Sequence, residues 1–109
     1  MFIHRQDGKA MILPNGVRRT VKGHIDDLML VELVWKKGQS GPVHDHPHRQ
    51  AGYVLKGGFE VEIAGQKRVL LAGEAYITDA HVPHAVAALE DDSVLLDVFT
   101  PRRDDFLDG

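Results

Sequence analysis

The chain has 109 residues, 43% of them apolar, with 16 acidic against 13 basic side chains for a formal charge of -3, and no cysteine. That length fills one compact core, so a single domain over residues 1–109 is expected. The near balance of charge, with no run of five like charges, argues against nucleic acid or an anionic membrane surface as partner. Without thiols there is neither a disulfide framework nor thiolate ligation, and any metal must sit on nitrogen and oxygen donors.

In chain order, Met1 to Asp7 lacks the positive-then-apolar layout of a secretion signal, and no later apolar stretch approaches the roughly 18 residues of a membrane span. A soluble, cytoplasmic protein is therefore expected. A short apolar stretch at Met11 to Leu13 runs into a turn signal at Pro14-Asn15-Gly16. Met29, Val31, Leu33 and Trp35 then alternate on what would be one strand face. Gly38 to Pro42 breaks that pattern. Further on, Phe59, Val61 and Ile63 share a face with Glu60 and Glu62 turned away, and Gly57-Gly58, Ala64-Gly65-Gln66, Gly73 and Asp91-Asp92-Ser93 cut the rest into strand-length pieces. Near the end, Val94, Leu96 and Val98 alternate with Leu95, Asp97 and Phe99. Both faces of that segment are largely apolar, so a buried strand is predicted with a carboxylate in its middle. No helix of ordinary length fits, and the pattern implies a sandwich, jelly roll or small barrel.

Five of the seven histidines fall in two clusters, His44, His46 and His48, then His81 and His84. On a strand, His44 and His46 would project to the same face, so two imidazoles could converge on one ion. His48 continues the alternation arithmetically, but Pro47 marks a strand end, and His48 is left out of the ligand set. His4 and His24 lie far from both clusters and are expected at solvent-facing positions. Trp35, Tyr53 and Tyr76 are read as core or pocket wall with the polar tip satisfied. Arg49 is expected on the opposite side of a strand from Gln50.

The spacing of the clusters carries a family resemblance. Gly38, His44, His46, Gln50 and Gly57 follow the order and intervals of the first cupin motif, with Gln where most members have Glu. Gly73, Asp79, His81 and His84 resemble the second, although Asp79, His81 and Ala88 stand where Pro, Gly and Asn are usual. The resemblance implies an all-β jelly-roll barrel. It also implies one divalent metal ion, Ni, Zn, Mn or Fe, on His44, His46, Gln50 and His84, with His81 left open as pocket wall or ligand orienter. Nearly the whole chain is similar to the pectin-degradation cupins of the KdgF type, which open and ketonise unsaturated monouronates. The similar stretches are Asn15 to Arg19, Leu28 to Glu32, Gly41 to His48, Gly52 to Leu55, and Leu95 to Leu107. That group implies active-site roles for Asp97, Phe99 and Arg103. It also implies a homodimer, to which Met11 to Leu13 could lend an intersubunit strand.

Three imidazoles and an amide are neutral donors, so a divalent ion there would keep its full charge and draw an anionic ligand such as a uronate carboxylate. Opening the unsaturated ring then needs a base for the hemiacetal hydroxyl and an acid for the alkene carbon, and Asp97 can serve as both. Arg103 would clamp the carboxylate, and Phe99 would wall the pocket. Three alternatives stand beside this expectation. Asp97 could face solvent or pair with Arg102 or Arg103 structurally. The chain could be a non-enzymatic metal cupin sensing a small acidic ligand, or a metal-dependent oxygenase.

Overall fold

The computed structural model describes residues 1–108. Nine strands account for the regular structure: β1 Lys9–Ile12, β2 Arg18–Ile25, β3 Leu28–Trp35, β4 Arg49–Lys56, β5 Gly58–Ile63, β6 Gln66–Leu71, β7 Ala75–Thr78, β8 His84–Ala88 and β9 Ser93–Thr100. One 3-10 turn, Asp104–Phe106, follows β9. Every pairing is antiparallel, in a six-stranded sheet of order β1-β2-β3-β9-β4-β7 and a three-stranded sheet of order β6-β5-β8. The two sheets face one another across a shared core. Among the described residues no helix is long and apolar enough to cross a membrane.

The period-two pattern sorts side chains as the sequence implies. Met29, Val31, Leu33 and Trp35 are all buried on the inner face of β3. Phe59 and Val61 point inward from β5, and the Trp35 and Phe59 rings meet edge to face at 5.6 Å between centroids. Met29, Val31, Val54, Phe59 and Leu95 lie among the most deeply buried side chains, each contributing about 1.5–3 kcal/mol of hydrophobic stabilisation.

β9 is central in the large sheet, hydrogen-bonded to β3 on one side and β4 on the other. Its inner residues, Leu95, Asp97 and Phe99, are buried, while Val94, Leu96 and Val98 are only half-buried. The expectation of a strand covered on both faces thus holds for the inner face alone, because no second layer packs on the outside within one chain. Tyr53 is a correction of the same origin. It pairs with Leu96 on the outer face and is 44% exposed, so it is neither core nor pocket wall.

Register aligns the inner-face residues in rows across the sheet. One row runs Met29, Phe99, Gln50, Thr78, and the next runs Val31, Asp97, Gly52, Tyr76. Gly52 leaves a gap in the second row that the Tyr76 ring fills. A Cβ at Gly52 would come within 2.3 Å of Tyr76 Cε1, so no other residue fits without displacing that ring.

Candidate metal centre and active site

His84 opens β8, paired with Ile63 of β5, and its side chain is buried. His44 and His46 do not lie on a regular strand. Residues 38–44 run irregularly along β8, tied to it by Gly38 N–H to Ala88 O, Gly41 N–H to Val86 O, and a two-way backbone pair between His44 and His84 at 3.1 and 2.9 Å. Convergence of these imidazoles therefore comes from a loop pinned to a strand, and the strand alternation invoked from sequence is not its cause. The outcome is the expected one: one ring nitrogen each from His44, His46 and His84 lie within 4.8 Å of one another.

The hydrogen bonds of these rings decide what the cluster can hold. His44 Nδ1 is 3.0 Å from Pro42 O, His46 Nδ1 is 2.9 Å from His48 O, and His84 Nδ1 is 2.8 Å from Val82 O. A carbonyl only accepts, so each Nδ1 carries the proton and each Nε2 is left with a lone pair. Burial lowers the pKa of His46 and His84, favouring the neutral rings. Gln50 Nε2 donates to the Tyr76 hydroxyl at 3.0 Å, which turns Oε1 toward the rings, 3.0 Å from His46 Nε2 and 3.1 Å from His84 Nε2. In neutral rings those two contacts set acceptor against acceptor, an arrangement that a cation between them relieves. The donor set therefore fits a divalent metal.

His48 stays outside this group, as expected, its ring 5.5 Å from that of His46. His81 is exposed and φ-positive at 62°, so it is not pocket wall; its backbone N–H donates to His46 O at 2.8 Å, which makes its main chain an orienter of that loop. His4 is exposed, whereas His24 is half-buried, against the solvent-facing expectation, because β2 turns it toward the row of Met29. Arg49 lies opposite Gln50, in an exposed ion pair with Asp79 at 2.8 Å.

A cavity of about 210 Å³ brings His44, Gln50 and His84 together with Asp97, Phe99 and Arg103. Asp97 is buried and makes no ion pair among the described residues, so the structural readings, solvent exposure or pairing with Arg102 or Arg103, do not apply. Arg102 bonds Asp104 and Arg103 bonds Asp105 instead. Burial raises the Asp97 carboxyl to about 7, offset in part by Gln50, Tyr76 and the Arg103 charge. The Tyr76 hydroxyl lies 3.5 Å from Asp97 Oδ1, so Gln50, Tyr76 and Asp97 form one hydrogen-bonded chain. Phe99 meets the His46 ring at 5.8 Å and the Phe106 ring at 5.6 Å. Arg103 holds Asp105 by two bonds, Nε at 3.0 Å and Nη2 at 2.8 Å, with its guanidinium 4.3 Å from the Phe106 centroid.

Comparison with known proteins agrees with this geometry. A profile of the cupin domain matches residues 30–99. The pectin degradation protein KdgF of Dickeya dadantii (strain 3937) is 45% identical over 96 residues, covering 87% of each chain. The chain is a cupin of the KdgF group. The structure of KdgF from Halomonas sp. superposes on this cupin with a TM-score of 0.91 at 39% identity, over 97% of this chain and 99% of that one. An RmlC-like cupin from Shewanella frigidimarina NCIMB 400 gives 0.90 at 33% identity, over 96% and 94%.

Tyr76, expected as core or pocket wall with its polar tip satisfied, is both that wall and a hydrogen-bond relay. Arg19, which carried no role in the sequence reading, also lines the cavity, and a signal for it was present: Val17 and Val21, two positions either side, are both buried, which places Arg19 on the inner face of β2.

Proposed function

We propose that this protein opens the ring of 4,5-unsaturated monouronates derived from pectin or alginate and gives the linear keto form. The observation that carries the reading is the convergence on one cavity of Asp97, Phe99 and Arg103 with His44 and His84 of the three-histidine group, in a chain so similar to a pectin degradation protein. His44, His46, Gln50 and His84 would hold one divalent ion, Ni, Zn, Mn or Fe, which when bound supplies a Lewis acid with undiminished positive charge, since all four donors are neutral.

Asp97 does the proton work. Its carboxylate takes the proton of the hemiacetal hydroxyl; the bond from the anomeric carbon to the ring oxygen breaks, leaving an aldehyde and an enolate. The same proton then passes from Asp97 to the alkene carbon beside the enolate, and the electron pair collapses to the ketone. Atoms and electrons balance, and the step is an isomerisation that needs no oxidant. Tyr76 holds the carboxylate in place from Gly52's gap, and Phe99 keeps bulk water from the reacting edge. Arg103 contributes positive charge where the substrate carboxylate must lie.

Mixing the metal-loaded protein with unsaturated galacturonate should abolish the alkene absorbance, with or without dioxygen, and proton NMR should show the aldehyde product as its hydrate. Binding without any absorbance change would overturn the enzyme reading in favour of a sensor, and a requirement for dioxygen would point to an oxygenase.

The reading also assigns the reaction to the cytoplasm, which cell fractionation tests, and a homodimer as the working unit. Support for the dimer lies in the outer face of the large sheet, where Leu28, Tyr53, Leu55 and Ile77 are exposed at 45, 44, 46 and 78%. Sedimentation at micromolar concentration should give twice the chain mass, and Ile77→Asp should halve it.

A further inference from the structure

Two guanidiniums flank the Phe106 ring, and they differ in what holds them. The Arg103 carbon lies 4.3 Å from the ring centroid, and the fork of that residue is closed on Asp105. The Arg19 carbon lies 3.9 Å from the same centroid, and among the described residues Arg19 makes no ion pair. Its Nη2 reaches only the Met11 sulfur at 3.7 Å, and its Nε is buried with no hydrogen-bond partner. Thioether sulfur is a weak acceptor, and a buried donor left unpaired is costly, more so on a charged group. A planar, always-charged fork that β2 aims inward between Val17 and Val21 is poorly explained by core packing.

Arg19 lines the same cavity as His44, His84, Asp97 and Arg103. Arg103 is closed on Asp105, and Asp97 makes no ion pair with either arginine, so the Arg19 charge has no carboxylate partner of its own among the described residues. A ligand carboxylate at the guanidinium would compensate that charge.

We infer that Arg19, through its forked guanidinium, is the residue that recognises the carboxylate of the substrate, while Arg103, held by Asp105, positions Phe106 and Phe99 and adds charge. The inference rests on the uronate reading for the identity of the substrate, but the assignment of Arg19 to a carboxylate stands on the geometry above. It also sets specificity: the site selects the free acid over an ester or a neutral sugar.

The test uses the metal-loaded protein and two unreactive probes, galacturonate and its uncharged methyl ester. Trp35, the one tryptophan of the chain, lines the cavity, so its emission reports occupancy. The unaltered protein should prefer the acid. Arg19→Gln should cut that preference by about 10–100-fold, the worth of a charge-assisted hydrogen bond, and raise KM for unsaturated galacturonate similarly while kcat changes by less than about 3-fold. Arg19→Lys keeps the charge and the stem over Phe106 but loses the fork, and should fall between.

A purely structural role would weaken acid and ester alike. If Arg19→Gln is folded by circular dichroism and keeps both the acid-to-ester ratio and KM, the inference is wrong; if Arg19→Gln does not fold, an unaltered ratio in Arg19→Lys overturns it equally. Should the unaltered protein leave the alkene absorbance untouched yet lose acid preference on Arg19→Gln, the ring-opening reading falls and the carboxylate assignment survives.

Discussion

The loop of residues 36–48 and the ladder of β3, β9, β4 and β7 meet at one cavity, but they hold their functional side chains in different ways. His44 and His46 sit on irregular backbone fastened to β8 by a few hydrogen bonds. Asp97, Phe99, Gln50 and Tyr76 sit on strands paired in continuous register, with β9 bonded on both sides. Ladder positions are fixed by folding alone, so Asp97, Tyr76 and Phe99 should keep their places whether or not metal is present. Loop positions owe their precision to local bonds and to the ion they would share.

Breaking the loop's link to the ladder should have the largest effect. His84 belongs to both regions, as first residue of β8 and as bridge partner of His44. His84→Ala should reduce metal from about one ion per chain to background by mass spectrometry, and turnover should fall at least as far as in any ladder variant. Next comes Asp97→Asn, a near-isosteric change inside the ladder. Metal content and melting temperature should be retained while kcat drops by about 10²–10⁴-fold, the worth of a general acid or base. A rate equal to that of the unaltered protein would return Asp97 to a structural part.

Gly52→Ala probes the ladder's packing. The added methyl group has no room beside Tyr76, so chemical denaturation should show a loss of about 1–3 kcal/mol, with metal content little changed because the imidazoles are held elsewhere. The gentlest perturbation is metal removal by a chelator. Amide exchange should accelerate in residues 38–48 while β9 amides keep their protection; equal acceleration in both would erase the distinction between the two regions.

Legibility from sequence follows the same divide. The ladder was readable through alternation, since Leu95, Asp97 and Phe99 share a face whatever their partners are, and the histidines through motif spacing. Which strands would be neighbours was not, because register arises from pairings between distant segments, and only those put Gly52 beside Tyr76 and Asp97. The loop misled in cause but not in result: Gly41 and Pro42 already disfavour a regular strand, and the fastening to β8 is a tertiary event. Arg19 was visible as a charge between two inward valines, yet one such residue in an edge-proximal strand gives no reason to prefer a ligand over solvent. That Asp105 would occupy Arg103 was invisible for the opposite reason, since near neighbours of opposite charge in a tail usually signify nothing.

The three imidazoles take their bearings from the carbonyls of Pro42, His48 and Val82, each two residues away along the chain. Every amino acid carries a carbonyl, so mutational drift at those neighbours cannot remove the anchors; the tautomers are inherited with the backbone. Gln50 is different, for its amide is aimed by a side chain, the Tyr76 hydroxyl. Among the four donors it is the one whose aim a single substitution, Tyr76→Phe, would undo. The site thus has three conserved-by-construction corners and one adjustable corner, where lineages descending from this fold can vary the charge presented to an anion without dismantling the centre.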